Sequence, residues 1–212
     1  MIRLFARPLP LVLALAFGIF IPVMMAGVRL VQILLSALPD DSLRLAAAPV
    51  ALFLHALAGI LFGVLGPVQF ARALRQRFGA LHRLSGRVFV AAGLALALSG
   101  LALLVQIESQ ATAVLDNARA GFSAALIVAL GVAVSAAGRR DMIAHRAWMI
   151  RAYAIGMGGA TVALVMFPIY LIKGAPLTGL ASDLVFVGWW LVTLAIGEWV
   201  ILRLGRRQGA LT

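Results

Sequence analysis

Two short segments hold the residue types from which chemistry is made. In HRLSGRVF, residues 82–89, His82 and Arg83 precede Arg87 and Phe89; in HRAWMIRAY, residues 145–153, His145 and Arg146 precede Arg151 and Tyr153, with one extra residue in the second copy. A neutral imidazole ligates metals, and a guanidinium binds carboxylate or phosphate through paired N–H groups. Two imidazoles on two helices of a bundle hold a b-type haem, one on each face of the iron, with nearby arginines meeting the propionates. On this reading His82 and His145 are the metal ligands, and Arg83, Arg87, Arg146 and Arg151 supply the cationic surroundings.

His55, the third histidine, lies well inside an apolar segment and leads the small-residue stripe Gly59, Gly63 and Gly66. An ionisable residue at that depth is a functional candidate by default. One zinc shared by all three histidines fits their depths poorly, because His55 stands about 20 Å from the end of its segment near which His82 and His145 lie. The chain has no cysteine, so disulfides, thiolate metal sites and cysteine nucleophiles are excluded. No nucleophile elbow, phosphate loop or paired-carboxylate hydrolase pattern is present.

The elements that position these residues are read from hydropathy. Of the 212 residues 64% are hydrophobic and 12% charged, and the mean hydropathy is +1.08, which is the composition of an integral membrane protein. Six apolar runs, each long enough for a bilayer core, span about 9–37, 46–70, 84–107, 119–138, 147–172 and 183–203. The expected fold is all-α: one membrane-embedded bundle of six transmembrane helices occupying the whole chain, with short connections and antiparallel sequential neighbours.

Charge sets the orientation. With the N-terminus inside, the inner side collects Arg3, Arg7, Arg72, Arg75, Arg77, Arg83, Arg87, Arg139, Arg140, Arg146, Arg151, Arg203, Arg206 and Arg207, which is 14 of the 18 basic residues. Both termini are therefore expected in the cytoplasm. The net charge of +11 is mostly this positive-inside signal, and it does not indicate nucleic acid, which needs a solvated basic face. Pro10, Pro22, Pro67 and Pro168 are candidate kinks. Trp189, Trp190 and Tyr170 fall toward the outer interface, with Trp148 and Trp199 toward the inner one.

Both histidine motifs open spans that start on the cytoplasmic side, the third and the fifth. His82 leads Gly86, Phe89, Gly93 and Gly100 at helical spacing; His145 leads Trp148, Met149, Ala152, Gly156 and Gly159. Small residues at these steps admit the close approach of either another helix or a flat ligand. Two charges lie within spans: Arg29, which can snorkel outward, and Glu198, which can pair with Arg203 or with an arginine of a neighbouring helix.

The run GPVQFARALRQRFGALHRLSGRVFV, residues 66–90, with HRAWMIRAYAI, residues 145–155, resembles a bacterial family of predicted membrane proteins classed as a domain of unknown function. The resemblance covers the second to fifth spans and implies a multi-pass protein of the bacterial inner membrane. A looser similarity is to six-helix cytochromes of the b-561 type and related ferric reductases. There, histidines on helices 2 and 4 hold one haem and those on helices 3 and 5 hold the other. By that similarity His82 and His145 match the pair on helices 3 and 5, and His55 the ligand on helix 2. The fourth span has no histidine, so a second haem would require a methionine such as Met24 or Met25 in its place.

Three functions follow as expectations. The first is an electron-transfer protein with haem b near the cytoplasmic face, exchanging electrons with a quinone or small reductant. The second is a non-enzymatic protein whose His-Arg motifs bind an anionic lipid headgroup or phosphate-bearing ligand. The third is an accessory subunit of a larger membrane complex.

Overall fold

The computed structural model describes residues 8–209, apart from the side chains of residues 8–16, 41, 72–74 and 207–209. Arg3 and Arg7 lie outside the described residues, as do the side chains of Arg72 and Arg207. Among the described residues every regular element is helical: α1 (Pro8–Leu34), a 3-10 segment (Asp40–Ala47), α2 (Pro49–Phe70), α3 (Arg72–Arg77), α4 (Gly79–Gln106), α5 (Ala113–Gly138), α6 (Met142–Thr161), α7 (Ala163–Lys173) and α8 (Gly179–Gly209). Six stretches are long and apolar enough to cross a membrane, with α6 and α7 together forming the fifth, Met142–Lys173.

The expected loop at residues 71–83 is mostly helix. Its Arg, Ala, Leu and Gln residues are good helix formers, and hydropathy does not register a turn that is helical but charged. α4 therefore starts at Gly79, which brings His82 inside the helix. The next hairpin behaves likewise: α6 starts at Met142, where the Asp141 side chain accepts from the N–H of Ala144 at 2.9 Å. A capping aspartate of this kind satisfies one of the donors that a helix start leaves unpaired. The helical ladder breaks at Val162, between α6 and α7, while Pro22, Pro67 and Pro168 lie within continuous helices.

The contacts form two compact units, the first ending at Ser109 and the second beginning at Gln110. In the first, α2 packs against both α1 and α4. Phe62 and Phe89, fully buried, stack at its centre with ring centroids 4.3 Å apart, so Phe89 of the first His-Arg motif is a core residue. In the second, α6 packs against both α5 and α8, around Leu130, Ala133, Ala152 and Trp190. Trp190 is thus a core side chain rather than part of an outer belt. Its indole donates to the carbonyl of Ile155 at 2.8 Å and stacks on Phe122 at 4.6 Å. The large apolar side chains left exposed on the helices, such as Phe17, Val105 and Ile172, are suited to lipid.

Candidate functional site

In the first unit, His55 of α2 is half-buried, and its Nδ1 lies 3.2 Å from the hydroxyl of Ser99 on α4. The Ser99 hydroxyl donates its proton to the carbonyl of Ala95 at 2.6 Å. What it offers His55 is therefore a lone pair, so Nδ1 carries the hydrogen and donates. The lone pair of the neutral ring then resides on Nε2, the form that ligates a metal or accepts a proton.

His82 stands in the first turn of α4 and lines a small cleft of about 30 Å³ with Val68, Arg75, Phe78, Leu81 and Ser85. The cleft combines apolar walls with one cation. Arg75, which the spacing of the His-Arg motif does not single out, is the cation beside His82, whereas Arg83 and Arg87 are exposed. The junction is fixed by Gln69 of α2, only 6% exposed. Its amide donates to the Ser85 hydroxyl at 2.6 Å, and Ser85 in turn donates to the carbonyl of Leu81 at 2.8 Å. A Cβ at Gly86 would stand 3.3 Å from the Gln69 Oε1. Gly86 of the His82 stripe thus serves helix contact.

In the second unit, the Nδ1 of His145 lies 2.9 Å from the carbonyl oxygen of Ala133 on α5. A carbonyl can only accept, so Nδ1–H donates and the lone pair again lies on Nε2. A ring whose second nitrogen is tied to a backbone carbonyl is held in the ligand-forming tautomer and orientation. One turn along α6, Trp148 lies under the guanidinium of Arg151, 4.8 Å from the ring centroid. Arg151 donates through Nε and Nη2 to the two carboxylate oxygens of Glu198 on α8, at 2.5 and 2.9 Å. The pair is half-exposed, at 29% and 45% of the two side chains. Of the two partners open to Glu198, the structure gives the neighbouring helix; Arg203 instead lies over Trp199 at 5.0 Å. Arg29 turns toward the 3-10 segment, donating to the Ser42 hydroxyl at 3.3 Å.

The glycines of the His145 stripe also receive an answer. A Cβ at Gly159 would fall 2.7 Å from the Trp190 ring, and one at neighbouring Gly158 2.1 Å from it. The flat group seated on this surface belongs to the protein itself. Arg146 is half-buried, as is Met24's neighbour Val23, while Met24 and Met25 are exposed on α1. Among the described residues no three His, Asp or Glu side chains converge on one point that would hold a metal ion.

The sequence reading missed Gln69 and Arg75. A buried glutamine in an apolar helix is a readable signal, but Arg75 resembles any loop arginine until α3 is known to be helical. Comparison with known proteins adds a family and nothing further: no curated protein and no solved structure matches the chain. The model of the predicted membrane protein family DUF2306 matches residues 52–201, which take in most of α2, all of α3 to α7 and most of α8. The chain belongs to the DUF2306 family of predicted membrane proteins.

Proposed function

We propose that this integral membrane protein binds haem b and transfers electrons, with His145 as an iron ligand. The observation that carries the reading is the Nδ1–H bond from His145 to the Ala133 carbonyl, which leaves Nε2 as the ligating nitrogen. His82, named by the sequence pattern as the second imidazole, has Arg75 beside it, a cation of the kind that meets a propionate. When bound, a bis-histidine haem supplies reversible one-electron transfer at iron. The chain's own part is to fix the imidazoles and meet the carboxylates; a quinone or small reductant of the bacterial inner membrane is the proposed electron partner.

The test is the absorption spectrum of detergent-purified protein after haem-replete expression. A Soret band that sharpens on reduction is expected, lost in His145→Ala and, for the bis-histidine form, in His82→Ala. Colourless wild-type protein would overturn the reading.

The cleft at His82 and Arg75 favours a second reading, an anionic headgroup site. In that case Arg75→Gln would weaken binding to phosphatidylglycerol vesicles in a salt-dependent way, and His82→Gln would leave it intact.

A further inference from the structure

We propose that the junction of α3 and α4 in the first unit is a site for a phospholipid that carries two phosphates, a diphosphatidylglycerol, with Arg75, Arg77 and Arg83 on its headgroup and Leu81, Leu84 and Val88 along its chains. The inference deepens the headgroup reading of the His82 cleft and rests on it.

Charge is distributed unevenly along this unit. Its acids, over residues 1–109, are Asp40, Asp41 and Glu108. The first two precede the start of α2 and the third follows the end of α4, whereas the junction joins the end of α2 to the start of α4. The 22 residues of α2 separate the two ends by about 33 Å. That is several Debye lengths at physiological salt, so no carboxylate of this unit neutralises the arginines of the junction. The second unit, by contrast, meets Arg151 from within, through both oxygens of Glu198.

Three guanidinium groups are held at the junction by separate supports. Arg75 lines the cleft with Phe78 and His82. Arg77 lies over the Phe78 ring, 5.5 Å from its centroid. A Cβ at Gly79 would stand 3.5 Å from the Arg83 Nη1, which places that guanidinium back along the first turn of α4. Each is a fork of N–H donors suited to phosphate oxygens. A single phosphodiester, with one negative charge, would leave most of this positive charge unmet; two phosphates joined through a glycerol match both its amount and its spread. From the same turn α4 presents Leu81, Leu84 and Val88, all exposed, on one face at steps of three and four. An acyl chain covers such a strip, and a free phosphate has no use for it.

The experiment is native mass spectrometry of the delipidated full-length protein, titrated with tetraoleoyl diphosphatidylglycerol, dioleoylphosphatidylglycerol, dioleoylphosphatidylcholine or inorganic phosphate. The wild type should bind diphosphatidylglycerol about tenfold more tightly than phosphatidylglycerol at equal phosphate, since the second phosphate binds as a tethered group. Arg77→Gln and Arg83→Gln should each weaken that binding about fivefold, the worth of one cation at an anionic surface. Arg139→Gln, which removes the same charge beside Ser135 at the end of α5, should leave it unchanged. Equal affinities for the two anionic lipids, or equal losses in Arg83→Gln and Arg139→Gln, would overturn the inference; the headgroup reading stands if Arg75→Gln still weakens binding of phosphatidylglycerol. Displacement of the lipid by an equal concentration of inorganic phosphate would assign the site to the free anion and overturn the inference as well. A wild type that prefers neither anionic lipid to phosphatidylcholine would overturn both readings.

Thermal unfolding in detergent gives a decision that does not depend on the folding of any variant, because a ligand of the folded state raises the melting temperature. Diphosphatidylglycerol should raise that of the wild type more than phosphatidylglycerol does at equal phosphate. Equal rises would overturn the two-phosphate site.

Discussion

A single methyl group placed at Gly158 should disrupt the second unit. Its Cβ would stand 2.1 Å from the Trp190 Cδ1, 2.7 Å from the indole nitrogen and 2.8 Å from the Thr193 hydroxyl. None of these atoms is free to give way. The indole is held by its bond to the Ile155 carbonyl and by Phe122, and Thr193 donates to the Trp190 carbonyl at 2.8 Å. If the ring stays, the overpacking costs about 1–3 kcal/mol. If it leaves, the molecule loses a hydrogen bond worth about 1 kcal/mol, an aromatic pair worth about 0.5–1.5 kcal/mol, and the packing of the largest side chain in this core. Gly158→Ala is therefore expected to destabilise by about 3 kcal/mol, with Gly159→Ala similar or slightly milder. Gly131→Ala and Gly188→Ala, whose added methyls meet nothing within 4 Å, should be neutral or stabilising by up to about 1 kcal/mol. Equilibrium unfolding in mixed micelles, followed by tryptophan fluorescence and helical circular dichroism, measures all four. The reasoning fails if Gly158→Ala unfolds with Gly188→Ala, or if Trp190→Ala does not relieve the cost of Gly158→Ala in the double variant.

Three further substitutions test the polar anchors. Asp183 is 3% exposed and accepts the Thr112 backbone N–H at 2.6 Å, so Asp183→Ala should cost about 2 kcal/mol in the same unfolding measurement. Asp183→Asn, which keeps an acceptor oxygen, should cost less. Ser99→Ala removes the acceptor for the His55 Nδ1–H; the expected loss is about 1–2 kcal/mol, and recovery in Ser99→Thr, which retains the hydroxyl, is the check. Asp141→Ala uncaps α6 and should lower the melting temperature, whereas Asp141→Ser should restore most of it.

The membrane spans were readable because each needs about 20 apolar residues and nothing else in the chain has that length. The starts of α4 and α6 were not, since their first turns are helical but charged, and a hydropathy reading places the helix where the apolar residues begin. The imidazoles were legible as rare polar groups among apolar ones. Their partners were not. Ser99 lies 44 residues from His55, and the partner of His145 is a backbone carbonyl at Ala133, which carries no signature in its side chain. For the same reason the glycines of α6 left helix packing and ligand binding equally open: the occupant, Trp190, is 35 residues from its hydrogen-bond partner Ile155, and only the α6–α8 contact brings it onto them.

The distribution of polar partners also narrows the chemistry. The carboxylate of Glu198 is engaged through both oxygens by Arg151, and that of Asp183 is engaged by a backbone N–H. A carrier that couples transport to a titrating acid needs such a group to change partners, and both are held by neighbours that would be left without an acceptor. The imidazoles are organised differently. His55 gives its Nδ1 proton to a hydroxyl whose own proton is already donated, and His145 gives its Nδ1 proton to a carbonyl. Two unrelated devices, one in each unit, produce the same electronic form of the ring, with Nε2 bearing the lone pair. An acceptor at Nδ1 dictates this tautomer whether the ring is structural or ligating, so the two uses are separated by the absorption spectrum and not by the tautomer.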